Sequence, residues 1–129
     1  MMIILDTCVL IYDALAPQKL SEHAKTVIME ADQANHLACS DISLWEIGML
    51  IAKKRIEVGI STPEFLDLIL QARNIQVLGI TSEIAGIATD PAKFNHFDPA
   101  DRIIAATTLY YRGKLVTCDE KLAQLPELA

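Results

Sequence analysis

Four acidic residues stand at positions that a chain building only a core would not need to make acidic. Asp6 ends the apolar run Met2–Asp6 (MIILD), and Asp119 ends Leu115–Asp119 (LVTCD), so each falls at the end of a strand-length segment. Asp101 is the third residue of the helix that opens at Asp98-Pro99-Ala100-Asp101. Glu46 lies mid-helix, where its neighbours three and four positions away are Ile42, Ser43, Met49 and Leu50. Capping explains some of these acids. Aspartate is among the best N-caps, so Asp6 and Asp119 each have an architectural reading as the cap of the following helix. Asp98, Pro99 and Asp101 read as N-cap, first and third helical residues, a capping-box analogue in which only one acid is needed. Asp98 is therefore assigned mainly to structure. Asp101 has Ile104 and Ala105 as helical neighbours, faces the sheet, and is assigned to chemistry.

Glu46 has no capping role. A glutamate on an apolar stripe requires a partner, either a metal ion or a buried basic group. Four converging carboxylates would repel one another and resist ionisation, and divalent cations remove that conflict. An oxygen-rich set without a cysteine or histidine pattern suits Mg²⁺ or Mn²⁺. Such clusters serve metal-dependent hydrolysis of phosphodiesters or phosphates. The net charge of −6 argues against a nucleic-acid partner, since phosphate binding leans on lysine and arginine. Taking four metal-bound carboxylates out of that −6 leaves the rest of the chain at −2, with basic clusters at Lys53-Lys54-Arg55 and at Arg112 with Lys114.

The elements that must position these acids follow from patterning. Short apolar runs alternate with longer amphipathic stretches, as in a parallel sheet covered by helices. Strands are predicted at Met2–Asp6, His36–Ser40, Ile75–Ile80 and Lys114–Cys118. Helices are predicted at Cys8–Leu15, Ser21–Ala34, Asp41–Arg55, from Thr62-Pro63-Glu64 to about Arg73, from about Ser82 to before Asp90, and from Asp98 to a left-handed glycine cap at Gly113, with a final turn at Glu120–Leu125. At 129 residues the chain is expected to form one domain, residues 1–129. No apolar run approaches the roughly 20 residues of a membrane helix. The start, MMIILD, has no basic segment before Asp6, so a cytoplasmic protein without a signal peptide is expected. Cys8, Cys39 and Cys118 are odd in number, lack C-x-x-C spacing, and read as three small buried hydrophobes.

Four stretches carry a resemblance. Ile4–Thr7 (ILDT), Ser43–Ile47 (SLWEI), Asp98–Thr107 (DPADRIIAAT) and Leu115–Asp119 (LVTCD) resemble, in order, the four motifs of PIN-domain ribonucleases, most nearly the VapC-type toxins of toxin–antitoxin pairs. The resemblance puts the family's acidic quartet on Asp6, Glu46, Asp101 and Asp119, as metal-binding catalytic residues. Thr7, Ser43 and Thr117 match its hydroxyl positions beside those acids, with Asp98 in a supporting place. It implies a three-layer α/β/α sandwich around a parallel sheet of four or five strands, and an endoribonuclease dependent on Mg²⁺ or Mn²⁺. It also implies a homodimer inhibited by a cognate antitoxin in the acidic groove, with RNA as substrate.

Other residues read more weakly. Arg102 is placed to steer a phosphate or to pair with a carboxylate, His96 to touch phosphate or simply to sit in a loop, and Trp45 to join the core or a dimer interface. The competing enzyme readings are a metal-dependent phosphatase or a DNA nuclease. A haloacid-dehalogenase phosphatase wants D-x-D after its first strand, where this chain has Cys8 in place of the second aspartate. A non-catalytic receiver-like module wants paired acids at the first strand and a lysine after a late strand, and neither is evident.

Overall fold

The structure, a computed structural model, describes residues 1–94 and 97–123. Its first strand, β1 (Ile3–Leu5), leads into α1 (Thr7–Leu15), a single 3-10 turn (Pro17–Lys19) and α2 (Glu22–Gln33). Next come β2 (Leu37–Ser40), α3 (Asp41–Ala52), α4 (Thr62–Ala72) and β3 (Gln76–Leu78). The chain continues through α5 (Ser82–Ala88), α6 (Pro91–Phe94), α7 (Pro99–Tyr110), β4 (Lys114–Val116) and α8 (Glu120–Ala123).

The four strands form one parallel sheet in the order β3-β2-β1-β4. β1 is central because its residues must be buried on both faces: Ile4 and Leu5 are fully buried. Successive residues of a strand point to opposite faces. Leu5 joins Val9, Leu10, Ile28, Ile47, Phe65 and other residues of α1 to α4 on one side. Ile4 joins Ala38 and Leu78 on the other, against Tyr111 just past α7. Helices on both faces give the three-layer α/β/α architecture. α7 is held on its face by α5 and by α3, and its Ala105 packs against Phe94 and Leu122. Burying a side chain the size of Phe94 or Leu122 contributes about 1.5–3 kcal/mol.

The edge strands read differently. In β3, Gln76 and Val77 are exposed and only Leu78 is buried, so the sheet stops there. Helix starts follow the expected cap chemistry: Ser21 accepts from Ala24 N at 3.0 Å, Ser40 from Ile42 N at 3.3 Å and Ser61 from Glu64 N at 3.3 Å. Among the described residues, no helix is long and apolar enough to cross a membrane.

Three expectations are corrected. Gly113 is not the left-handed cap of α7; Arg112 takes that conformation, with φ 52°. Gly113 instead lets β4 start against β1, since a Cβ there would lie 2.6 Å from the Met2 carbonyl oxygen. The stretch before α7 is not all loop, because the one-turn α6 seats Phe94 in the core at 1% exposure. Of the three cysteines only Cys39 is buried; Cys8 is half-buried and Cys118 exposed.

Candidate active site

The C-terminal end of β1 is where strand order reverses, with β2 and β3 on one side and β4 on the other, and ligands of open α/β sheets sit beyond such ends. Asp6 is the residue there. It is 4% exposed and fills both roles that its position allows. As N-cap of α1 its Oδ1 accepts from Thr7 N at 2.8 Å. Its Oδ2 accepts from the Thr117 hydroxyl at 2.5 Å and from Cys8 Sγ at 3.8 Å. The Thr117 contact follows from register, because Leu5 lies opposite Val116 and the next residues are Asp6 and Thr117. Thr117 Oγ1 also accepts from Asp119 N at 2.9 Å, while Asp119 Oδ1 accepts from Lys121 N at 2.8 Å. One hydroxyl thus sets both strand-end aspartates.

Glu46 comes from the middle of α3 and is half-buried. Its Oε1 accepts from the Thr7 hydroxyl at 2.5 Å, and Thr7 Oγ1 lies 2.9 Å from Ser43 Oγ. A carboxylate has no proton to give, and threonine has only one. Thr7 therefore donates to Glu46, and the buried Ser43 donates to Thr7. Asp101 reaches in from the first turn of α7.

Asp6, Glu46, Asp101 and Asp119 line a single cleft of about 240 Å³, together with Thr7, Cys8, Ile11 and Leu50. No lysine, arginine or histidine is among the described lining residues, so none of these is the buried basic partner considered for Glu46. A larger cleft of about 290 Å³ between α2 and β4 is lined by Ala24, Val27, Leu115 and Val116 among others, with no acidic residue among its described lining residues.

Electrostatics follow this geometry. Asp101 is pushed up to about 7, by burial first and then by the charges of Asp6, Asp119, Glu46 and Asp98. Burial also raises Asp6, assisted by Asp119 and opposed by the Thr117 hydroxyl and the Thr7 amide. Glu46 is raised by burial, with Asp6 and Asp98 adding to it and the Thr7 hydroxyl opposing. Among the described residues, no three His, Cys, Asp or Glu side chains are gathered closely enough to hold a metal ion. The Thr117 and Thr7 hydroxyls hold Asp6 and Glu46 in fixed orientations. In chemistry the donor set is one of carboxylate oxygens, which fits a hard divalent cation.

Asp98 departs from expectation. It stands at the N-cap of α7 in extended backbone, yet its side chain makes no capping hydrogen bond. Its exposed carboxylate instead adds negative charge at Glu46 and Asp101. Arg102 is half-buried, and its Nε donates to the Phe97 carbonyl at 2.8 Å, bracing the approach to α7. His96 lies outside the described residues. Trp45 is 59% exposed rather than in the core. Cys8, Ile11 and Leu50 were missed as lining residues, although Cys8 directly follows the Asp6-Thr7 pair.

Comparison with known proteins fits this arrangement. Residues 3–128 match the PIN domain. The chain belongs to the PIN-domain family. It is 35% identical over 121 residues to Ribonuclease VapC22 of Mycobacterium tuberculosis, across 93% of this chain and 88% of that protein. Two solved structures share the PIN-like fold. VapBC2 from Rickettsia felis, bound to a DNA fragment from its promoter, superimposes with a TM-score of 0.72 at 20% identity, over 99% of this chain and 96% of that one. A toxin–antitoxin complex from Klebsiella pneumoniae gives a TM-score of 0.64 at 18% identity, over 98% and 94% respectively.

Proposed function

We propose that this chain is a divalent-metal-dependent endoribonuclease of the VapC type, acting as the toxin of a toxin–antitoxin pair. The observation that carries the reading is the convergence of Asp6, Glu46, Asp101 and Asp119 in one cleft with no lysine, arginine or histidine among its described lining residues. The kinship with a ribonuclease and the fold shared with toxin–antitoxin complexes support the same reading. PIN-domain nucleases of this kind are generally divalent-metal dependent. Here Asp6, Glu46, Asp101 and Asp119 would hold Mg²⁺ or Mn²⁺. When bound, such an ion supplies the positive charge that activates water and stabilises the leaving oxygen of an in-line phosphoryl displacement. The chain's own part is to aim the oxygens. Thr117 fixes Asp6 and Asp119, the Ser43–Thr7 relay fixes Glu46, and Ile11 and Leu50 supply apolar lining beside them. A cognate antitoxin covers the cleft, and the toxin works in the cytoplasm as a homodimer.

The test is cleavage of single-stranded and structured RNA by purified protein, with and without EDTA, beside a DNA of the same sequence. RNA cleavage abolished by EDTA and restored by Mg²⁺ or Mn²⁺ is the expected result. Cutting that survives chelation removes the metal from the reading, and preferential cutting of DNA replaces ribonuclease with DNA nuclease.

A further inference from the structure

Cys8 lines the acidic cleft from the start of α1, and Cys118 lies just before Asp119, which lines it too. Cys8 is the second residue of α1, just beyond β1, and Cys118 lies two residues past β4. The two strands pair in parallel, Leu5 opposite Val116. Cys118 N donates to Cys8 Sγ at 3.3 Å. Both are free, with Cys8 half-buried and Cys118 exposed, while Cys39 is buried on β2. The Cys118 backbone in contact with Cys8 Sγ puts the two residues side by side, as a disulfide requires. Cys8 lines the cleft beside Asp6, and Cys118 immediately precedes Asp119.

We propose that Cys8 and Cys118 are a modification site: under oxidising conditions they form a reversible disulfide across the rim of the acidic cleft, which slows RNA cleavage. Glutathione disulfide is a sufficient oxidant. The solvent-facing Cys118 loses its proton to water, and its sulfur attacks one sulfur of glutathione disulfide. That S–S bond breaks, and one glutathione leaves and takes up a proton. The Cys8 sulfur, its proton passing to solvent, then attacks the Cys118 sulfur of the mixed disulfide and releases the second glutathione. Two protein thiols are oxidised, and one glutathione disulfide is reduced to two thiols. The new bond removes the Cys8 S–H that points at Asp6 Oδ2 and ties down the residue before Asp119. Both strand-end carboxylates lose their resting arrangement. This effect on cleavage rests on the ribonuclease reading, whereas formation of the bond does not.

Peptide mapping decides the bond. The full chain is treated with glutathione disulfide or with dithiothreitol, free thiols are blocked with N-ethylmaleimide in denaturant, and the protein is cut with trypsin without reduction. The oxidised sample is expected to give Met1–Lys19 joined to Leu115–Lys121, lighter by two hydrogen atoms than the separate peptides, with Cys39 blocked. Separate blocked or glutathione-bearing peptides, or Cys118 linked to Cys118 of a second chain, overturn the site. RNA cleavage by the same oxidised sample should fall by roughly tenfold or more and return with dithiothreitol, as for other lost supports of a metal site. Cys118→Ser should keep the reduced wild-type rate in the oxidant. A mapped, linked protein that cleaves RNA at the reduced rate overturns the effect on activity. If even the reduced protein cuts no RNA, the ribonuclease reading has failed, and the mapping still decides the bond.

Discussion

Thr117 and Thr7 each orient two groups with a single hydroxyl. Thr117 donates to Asp6 and accepts from Asp119 N, so Thr117→Val removes both restraints while keeping the shape. It should keep its circular-dichroism spectrum and lose about 10- to 100-fold in RNA cleavage or metal affinity. Glu46 is raised by burial and by neighbouring acids, so its charge burdens the metal-free protein. Glu46→Gln should leave the metal-free melting temperature at or above wild type while cleavage collapses. Mn²⁺ should also raise that temperature less in the variant, since binding to the folded state is the source of the shift. A destabilised metal-free variant would mean that the Thr7 contact outweighs the repulsion. Asp98 makes no capping bond, so Asp98→Asn should change stability by no more than about 0.5 kcal/mol and retain most activity. Asp101→Asn should cost a large factor in rate, and the reverse ranking in an RNA-cleavage assay would move the key carboxylate to Asp98. Glu46 was legible in the sequence because no cap explains an acid on an apolar stripe. The failure of Asp98 to cap was not, since propensity fixes the backbone position but not where an exposed carboxylate turns.

The acids act together only because of how their elements are ordered. Placing β1 between β2 and β4 brings Asp6 beside Asp119, and the packing of α3 against α7 brings Glu46 towards Asp101. Gly113 is part of that arrangement, because β4 pairs with β1 only where a Cβ does not meet the Met2 carbonyl. Gly113→Ala should therefore destabilise by about 1–3 kcal/mol in a chemical-denaturation experiment, the usual cost of overpacking. Arg112→Gly should be neutral or stabilise by up to about 1 kcal/mol, because it relieves a left-handed residue. A costly Arg112→Gly with a harmless Gly113→Ala would restore the left-handed glycine cap. The elements and their parallel pairing were readable from apolar runs of strand length between amphipathic helices. Strand order was not, because local patterning carries no information on which strand lies beside which. The contact between Cys8 and Cys118 stayed hidden for the same reason: it depends on the β1–β4 register, across more than a hundred residues of chain.

Across the whole molecule, the clustered acids couple stability, pH and metal. In the metal-free fold Asp101 binds its proton up to about 7, whereas the ordinary value for the unfolded chain is 3.8. Between those values the folded state holds more protons than the unfolded state, so rising pH removes stability. The melting temperature of EDTA-treated wild type should fall relative to Asp101→Asn as pH rises through this window, and parallel curves would mean that Asp101 ionises freely. Metal ions act in the opposite direction, because they bind the ionised carboxylates and compete with protons. The central claim is that these four carboxylates form a divalent-metal site. Its most direct test is an Mn²⁺ binding isotherm, read by loss of the free-ion electron paramagnetic resonance signal, for wild type and Asp6→Asn on either side of about pH 7. The expected result is saturable wild-type binding that tightens as pH rises through 7 and is lost in Asp6→Asn. Binding that is absent, indifferent to pH, or unchanged in Asp6→Asn would contradict it.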